Sequence, residues 1–261
     1  MNFVCIIKVY YGLLQCLYQE KRKLMKFLKF IAVILSLLSV SSLMIGMQIP
    51  SKRLFLALSL PKTNGVGQPI DFTGVEKFIA NNGITLKPEK NRHITLLFLG
   101  DVPDYYYIQG QGYSTLELLS QAVNDGLKFF YSYTASKNNS ILREEISEAK
   151  IFGKNNNFIV YTLKQPSSLE ILYDFIQNQI KLEFNKRGIQ HQLNTGFPFA
   201  PHITLGTFNP NDAMKMQSLL NGFKPPAALN RQTFILNELT LFESKNQNYI
   251  PLRTWKLASP Q

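Results

Sequence analysis

The tetrapeptide His-Ile-Thr-Leu occurs twice, at residues 93–96 and 202–205, and contains two of the three histidines in the chain. By average residue usage, a fixed triplet after a given histidine recurs with a chance on the order of 10⁻⁴, so the repeat is informative. Ile and Thr are β-branched, and the runs from the last residue of each copy (96–99 and 205–208) suit strands, so both copies read as β-structure. Side chains alternate along a strand. His93 and Thr95 therefore share one face while Ile94 and Leu96 share the other, and His202 and Thr204 are divided from Ile203 and Leu205 in the same way.

Imidazole titrates near neutrality, so a pair supplies a base and an acid together. The base withdraws a proton from water or a ribose hydroxyl, and the acid protonates the leaving oxygen. The threonine hydroxyls donate hydrogen bonds to phosphoryl oxygens as charge builds. A phosphodiester suits these parts. A serine hydrolase does not, because Gly-x-Ser-x-Gly is missing and each Thr points beside its imidazole.

Composition narrows the classes further. The chain has 261 residues, 45% of them hydrophobic, which suits a folded globular protein. Its formal charge is +11; residues 1–50 carry six Lys or Arg against Glu20, leaving +6 beyond them. That remainder favours phosphate-bearing ligands and equally suits a solvated surface. Both cysteines, Cys5 and Cys16, precede residue 50, which removes disulfides and thiol nucleophiles from the region that folds. No His-Glu-x-x-His or Cys-x-x-Cys indicates zinc. His191, between two glutamines, reads as exposed, and Gly65 and Gly67 as a flexible connection. Tyr105, Tyr106 and Tyr107 suit either base stacking or packing in a strand or loop.

Lys21, Arg22, Lys23, Lys26 and Lys29 precede the uncharged run 30–49, the form of a targeting segment. Residues 1–49 are expected to be an N-terminal extension with a signal peptide or membrane anchor, and Met25 competes with Met1 as the start. Uncleaved, residues 27–49 would hold the chain in a membrane with the remainder outside. The protein is then exported, periplasmic or secreted, or anchored in the inner membrane.

Residues 50–261 have the periodicity of one folded domain. Strands are expected at 53–60, 92–99, 129–136, 148–152, 158–163, 234–242 and 249–257, and a second motif strand at 202–205. Helices are expected at 73–82, capped by Thr73 with Glu76 three residues on, at 114–127 with a Ser114-x-x-Glu117 capping box, at 167–187 and at 212–220. Each motif strand has a helix before it and another after it, and the motifs lie 109 residues apart, suggesting two related lobes.

The stretches Arg92-His-Ile-Thr-Leu-Leu-Phe-Leu-Gly100 and Phe199-Ala-Pro-His-Ile-Thr-Leu-Gly206 resemble the two-histidine phosphoesterase superfamily, in its bacterial 2'-5' RNA ligase and RNA 2',3'-cyclic phosphodiesterase branch. The opening strand from Arg53 and the closing strand at residues 239–244 followed by Tyr249 extend the resemblance over roughly residues 52–258. It implies an α+β fold of two pseudo-symmetric lobes, with mainly antiparallel sheets facing a central groove and helices on the outer faces. It implies His93 as acid and His202 as base, with Thr95 and Thr204 beside them, no cofactor or metal, an RNA or oligonucleotide substrate, and a monomer. The branch often carries a basic residue where this chain has Ala200, so Arg92 and Arg187 are the expected substrate-binding substitutes. The implied reaction opens an RNA 2',3'-cyclic phosphate to a 2'-phosphate. The alternatives are 2'-5' oligoadenylate or cyclic nucleotide hydrolysis, or nucleotide binding without catalysis.

Overall fold

The computed structural model describes residues 51–62, 70–108, 110–136, 142–153, 155–164, 167–190, 199–222, 233–246 and 248–257, all within the unit Pro50–Gln261. The targeting segment, Met25, Gly65, Gly67 and His191 lie outside the described residues. No helix among the described residues is long and apolar enough to cross a membrane.

Strand β1 (Ser51–Ser59) is apolar and buried on both faces from Leu54 to Leu58, which fits a strand with neighbours on each side. Those neighbours are β10 (Glu238–Lys245) and β3 (His93–Pro103), both antiparallel to it. With β2 (Lys87–Pro88), β6 (Arg143–Phe152), β7 (Phe158–Leu163), β8 (His202–Thr207), β9 (Thr233–Ile235) and β11 (Asn248–Lys256), they form a nine-stranded sheet. Its order is β11-β10-β1-β3-β8-β7-β6-β9, with β2 also on β8, and all of its pairings are antiparallel. A separate hairpin consists of β4 (Tyr105–Ile108) and β5 (Gln111–Ser114), so the tyrosine run is strand.

Most strand pairs share five or more residue pairs, whereas β3 and β8 meet at one, Ile94 opposite Ile203. The two motif strands are thus the seam between two groups of strands. Four helices complete the α+β fold among the described residues: α1 (Thr73–Asn81), α2 (Thr115–Ala135), α3 (Ser167–Lys186) and α4 (Ala213–Gly222). Val75 and Ile79 of α1, Leu119 and Val123 of α2, Leu172 and Ile176 of α3, and Met216 of α4 join one apolar cluster with Ile94, Leu96, Ile203 and Leu205. The apolar half of each motif therefore anchors the strand against the helical layer.

Three expectations change. Residues 129–135 continue α2, with Ser136 as its C-cap, instead of 129–136 forming a strand. Their aromatic and β-branched composition favours strand, but Phe130 and Thr134 extend the buried stripe of Leu119, Val123 and Leu127 at helical spacing, and that burial outweighs local propensity. Residues 234–242 are two strands, not one. β9 pairs with β6, Asn237 accepts from the Leu257 N–H across the break, and β10 starts beside β1 in the other group of strands. Finally, α1 is capped from outside by Asp71, whose carboxylate accepts from both the backbone N–H and the hydroxyl of Thr73. The Ser114 cap of α2 is present as expected, with its hydroxyl accepting from the Glu117 N–H.

Two glycines permit close approach. A Cβ at Gly126 would stand 3.0 Å from Ile176 Cα, so a residue weak in helices is what lets α2 and α3 pack backbone to backbone. A Cβ at Gly206, directly after the second motif, would lie 2.4 Å from the Lys87 carbonyl oxygen. Gly206→Ala must push β2 off β8, and a loss of about 1–3 kcal/mol is expected, read as a lower midpoint in thermal or urea unfolding.

Candidate active site

Both motifs have the burial alternation that strand geometry demands. His93, Thr95, His202 and Thr204 are partly exposed, while Ile94, Leu96, Ile203 and Leu205 are buried. Carrying the Ile94–Ile203 register one residue in each direction puts His93 across from Thr204 and Thr95 across from His202. Directly opposite residues on neighbouring strands stand about 5 Å apart at Cβ, so the register gathers two imidazoles and two hydroxyls on one face. That face is opposite the one packed on the helices.

The two histidines are held alike. His93 Nδ1 lies 2.6 Å from the carbonyl oxygen of Asn91, and His202 Nδ1 lies 2.7 Å from that of Ala200, each two residues upstream. A carbonyl only accepts, so each Nδ1 carries the proton and donates it, leaving Nε2 as the working nitrogen. Neutral, that nitrogen is a base; charged, it is an acid. Ala200 contributes its backbone, so the absence of a basic side chain there does not affect how His202 is held.

The walls differ. His93 stands among Phe55 (ring centroids 5.3 Å apart), Phe242 (6.2 Å) and Tyr249, whose ring meets it edge-on at 5.1 Å. His202 packs against Phe152 at 4.3 Å. Burial pulls both imidazoles below the ordinary histidine value, and their Nδ1 hydrogen bonds oppose the change. For His93 the Glu89 carboxylate also raises the value and the charge of His202 lowers it. Burial raises the Tyr249 phenol, and Glu89 adds to the effect.

Thr95 and Thr204 lie on the same partly exposed strand face as their histidines. Should this face open a phosphodiester, Thr204→Val, which removes a hydroxyl at nearly constant volume, is expected to lower kcat by roughly 10-fold to 100-fold with a smaller change in KM, since the donor would matter most as charge develops. Steady-state kinetics on a cyclic-phosphate dinucleotide separates the two parameters.

Arg92 and Arg187 are engaged elsewhere. Arg92 is paired with Glu76 of α1 and lies 4.8 Å over the Phe72 ring. Arg187 is paired with Glu183 one helical turn earlier and lies 5.5 Å over Tyr113. A substrate that recruits either would have to displace a carboxylate. A cavity of about 500 Å³ lined by Glu76, Lys77, Ala80, Gly83, Ile84, Thr85, Leu86 and Pro88 contains none of the four motif residues. Among the described residues no three His, Cys, Asp or Glu side chains are grouped to hold a metal.

Sequence reasoning missed Glu89, Phe55, Phe242 and Phe152, and gave Tyr249 no role. Strand neighbours far apart in the chain bring the aromatics to His93: Phe55 is opposite Phe242, and β11, which carries Tyr249, pairs with β10.

No protein-family profile matches the sequence, and no curated protein matches it. Solved structures are similar in fold. One is a phosphoesterase crystal structure, 17% identical over 80% of this chain and 100% of that one, with a TM-score of 0.44. Another is E. coli LigT complexed with 3'-AMP, 18% identical over 80% of this chain and 99% of that one, with a TM-score of 0.43. Usb1 of Kluyveromyces marxianus is 13% identical over 77% and 98%, with a TM-score of 0.39. At these identities the likeness is one of fold alone.

Proposed function

We propose that the chain is a phosphodiesterase that opens RNA 2',3'-cyclic phosphate ends to 2'-phosphates by paired imidazole catalysis. The observation that carries this reading is the matched pair itself: two histidines with identical Nδ1 anchors, each with a threonine on its face, on adjacent strands in register. His202 Nε2 takes a proton from water as its oxygen bonds to phosphorus. The bond from phosphorus to the 3' oxygen breaks, and His93 Nε2–H protonates that oxygen. Thr95 and Thr204 donate to the non-bridging oxygens as negative charge grows. His202 ends charged and His93 neutral, and exchange with solvent restores the starting state. No step calls on a metal, so EDTA should leave the rate unchanged.

The two groups of strands would act as the two lobes, one half-site each, with the β3–β8 seam at the floor of the groove. The test is to incubate the protein with RNA ending in a 2',3'-cyclic phosphate, with cyclic nucleotides and with 2'-5'-linked oligomers, and to weigh the products. A 2'-phosphate end from the first substrate supports the reading; product from another substrate alone redirects it, and binding without product leaves a nucleotide-binding module. Residues 1–49 are proposed as export signal or anchor on the strength of five basic residues followed by the uncharged run 30–49. N-terminal sequencing of the native protein distinguishes cleavage from anchoring.

A further inference from the structure

The two half-sites are matched in backbone, but the proposed reaction needs them unequal, one histidine giving a proton and the other taking one. Burial pulls both rings the same way, toward the neutral form, so it does not by itself set one apart from the other. A difference must come from what surrounds them.

Glu89 supplies one. It lies between β2 and β3, and its backbone N–H donates to the Leu205 carbonyl at 2.7 Å, fastening it to the strand that carries His202 and Thr204. Its side-chain Oε1 accepts from the Asn91 N–H at 3.1 Å. The Asn91 carbonyl in turn receives the Nδ1 proton of His93 at 2.6 Å. One carboxylate thus braces the loop that orients His93 while being tied to the opposite motif strand. Among the described residues, the charged or titratable groups acting on or touching His93 are Glu89, His202 and the Tyr249 phenol, and Phe55 and Phe242 are its other ring contacts. Around His202 the described contacts are the Ala200 carbonyl and the Phe152 ring, and among the described residues no acidic group acts on it.

We propose that Glu89 is the positioning residue that makes the two histidines unequal: it braces the Asn91 loop and sets a carboxylate on the His93 side, committing His93 to the acid role and leaving His202 as the base. A negative charge within Coulomb reach favours imidazolium over imidazole, and partial burial reduces the screening that would erase the effect. Tyr249 does not compete as a proton acceptor, because burial and the same carboxylate keep its phenol protonated. The assignment rests on the phosphodiesterase reading, but its test does not require turnover.

Glu89→Gln keeps an oxygen for the Asn91 N–H and removes the charge; Glu89→Ala removes both. In the full chain, NMR titration of the ring nitrogens is expected to show His93 titrating at lower pH in Glu89→Gln than in the wild type, with His202 unmoved. In kinetics, the basic limb of the kcat/KM profile moves to lower pH and the acidic limb stays, so the variant loses severalfold at pH 8 and less toward pH 6. Glu89→Ala adds a loss of kcat at all pH values, because His93 is no longer oriented. An unmoved His93, or equal movement of both rings, overturns the proposal. If the wild type turns over none of the substrates, the function is wrong while the NMR titration still decides whether Glu89 splits the pair.

Discussion

Replacing either His93 or His202 by alanine is expected to lower kcat/KM on a 2',3'-cyclic phosphate by about 10³-fold, because a positioned acid or base contributes roughly 10²-fold to 10⁴-fold. The double variant should fall little further. Both proton transfers belong to one transition state, and once one partner is gone the other has little left to assist. The fold should survive both changes. Each ring lies on the partly exposed face of its strand, and the anchoring side chains Ile94, Leu96, Ile203 and Leu205 are untouched. Circular dichroism and a thermal melt provide the control, and the decisive result is a rate within tenfold of wild type in a folded single variant, which eliminates the paired mechanism.

The second large effect lies away from the chemistry. Glu144 is 2% exposed, on β6 opposite Phe234 of β9, and burial pushes its carboxyl up from 4.5 to about 8. In the unfolded chain the group ionises near its ordinary value; in the fold it stays protonated until the pH approaches 8. Its contribution to stability is therefore fully present below about pH 4.5 and is lost as pH rises through the folded value. Glu144→Gln keeps the shape and removes the titration, so it should stabilise the protein by on the order of 3 kcal/mol at pH 7. That gain should shrink to nearly nothing at pH 4.5. Thermal melts of both proteins from pH 4.5 to 9 provide the measurement; parallel curves would mean that Glu144 has a partner for its charge.

Much of the candidate site was legible because it rests on local rules. A strand alternates its faces, so His-x-Thr alone was enough to place imidazole and hydroxyl together and the aliphatic pair behind them. The Nδ1 anchors were not legible, since they depend on the loop path before each strand, and neither were Glu89 and the aromatic wall, which arrive through pairings between residues as distant as Phe55 and Phe242. The fold divides in the same way. Apolar periodicity identified β1, β7 and α3, whereas residues 129–136 misled because local propensity and burial conflict there and burial wins. The break at Leu236 and Asn237 could not be read from a run of strand-forming residues whose two ends pair in different parts of the sheet.

The single pairing of Ile94 with Ile203 also has a mechanical meaning. A sheet stiffened by many rungs behaves as a plate, but one rung between two plates is a crease. His93, Thr95, His202 and Thr204 sit one residue to either side of that crease, where a small change in fold angle alters the gap between His93 and His202. A phosphate gripped by both rings would act as a rivet across it, so bound ligand should stiffen a join that the two strands make through a single pair.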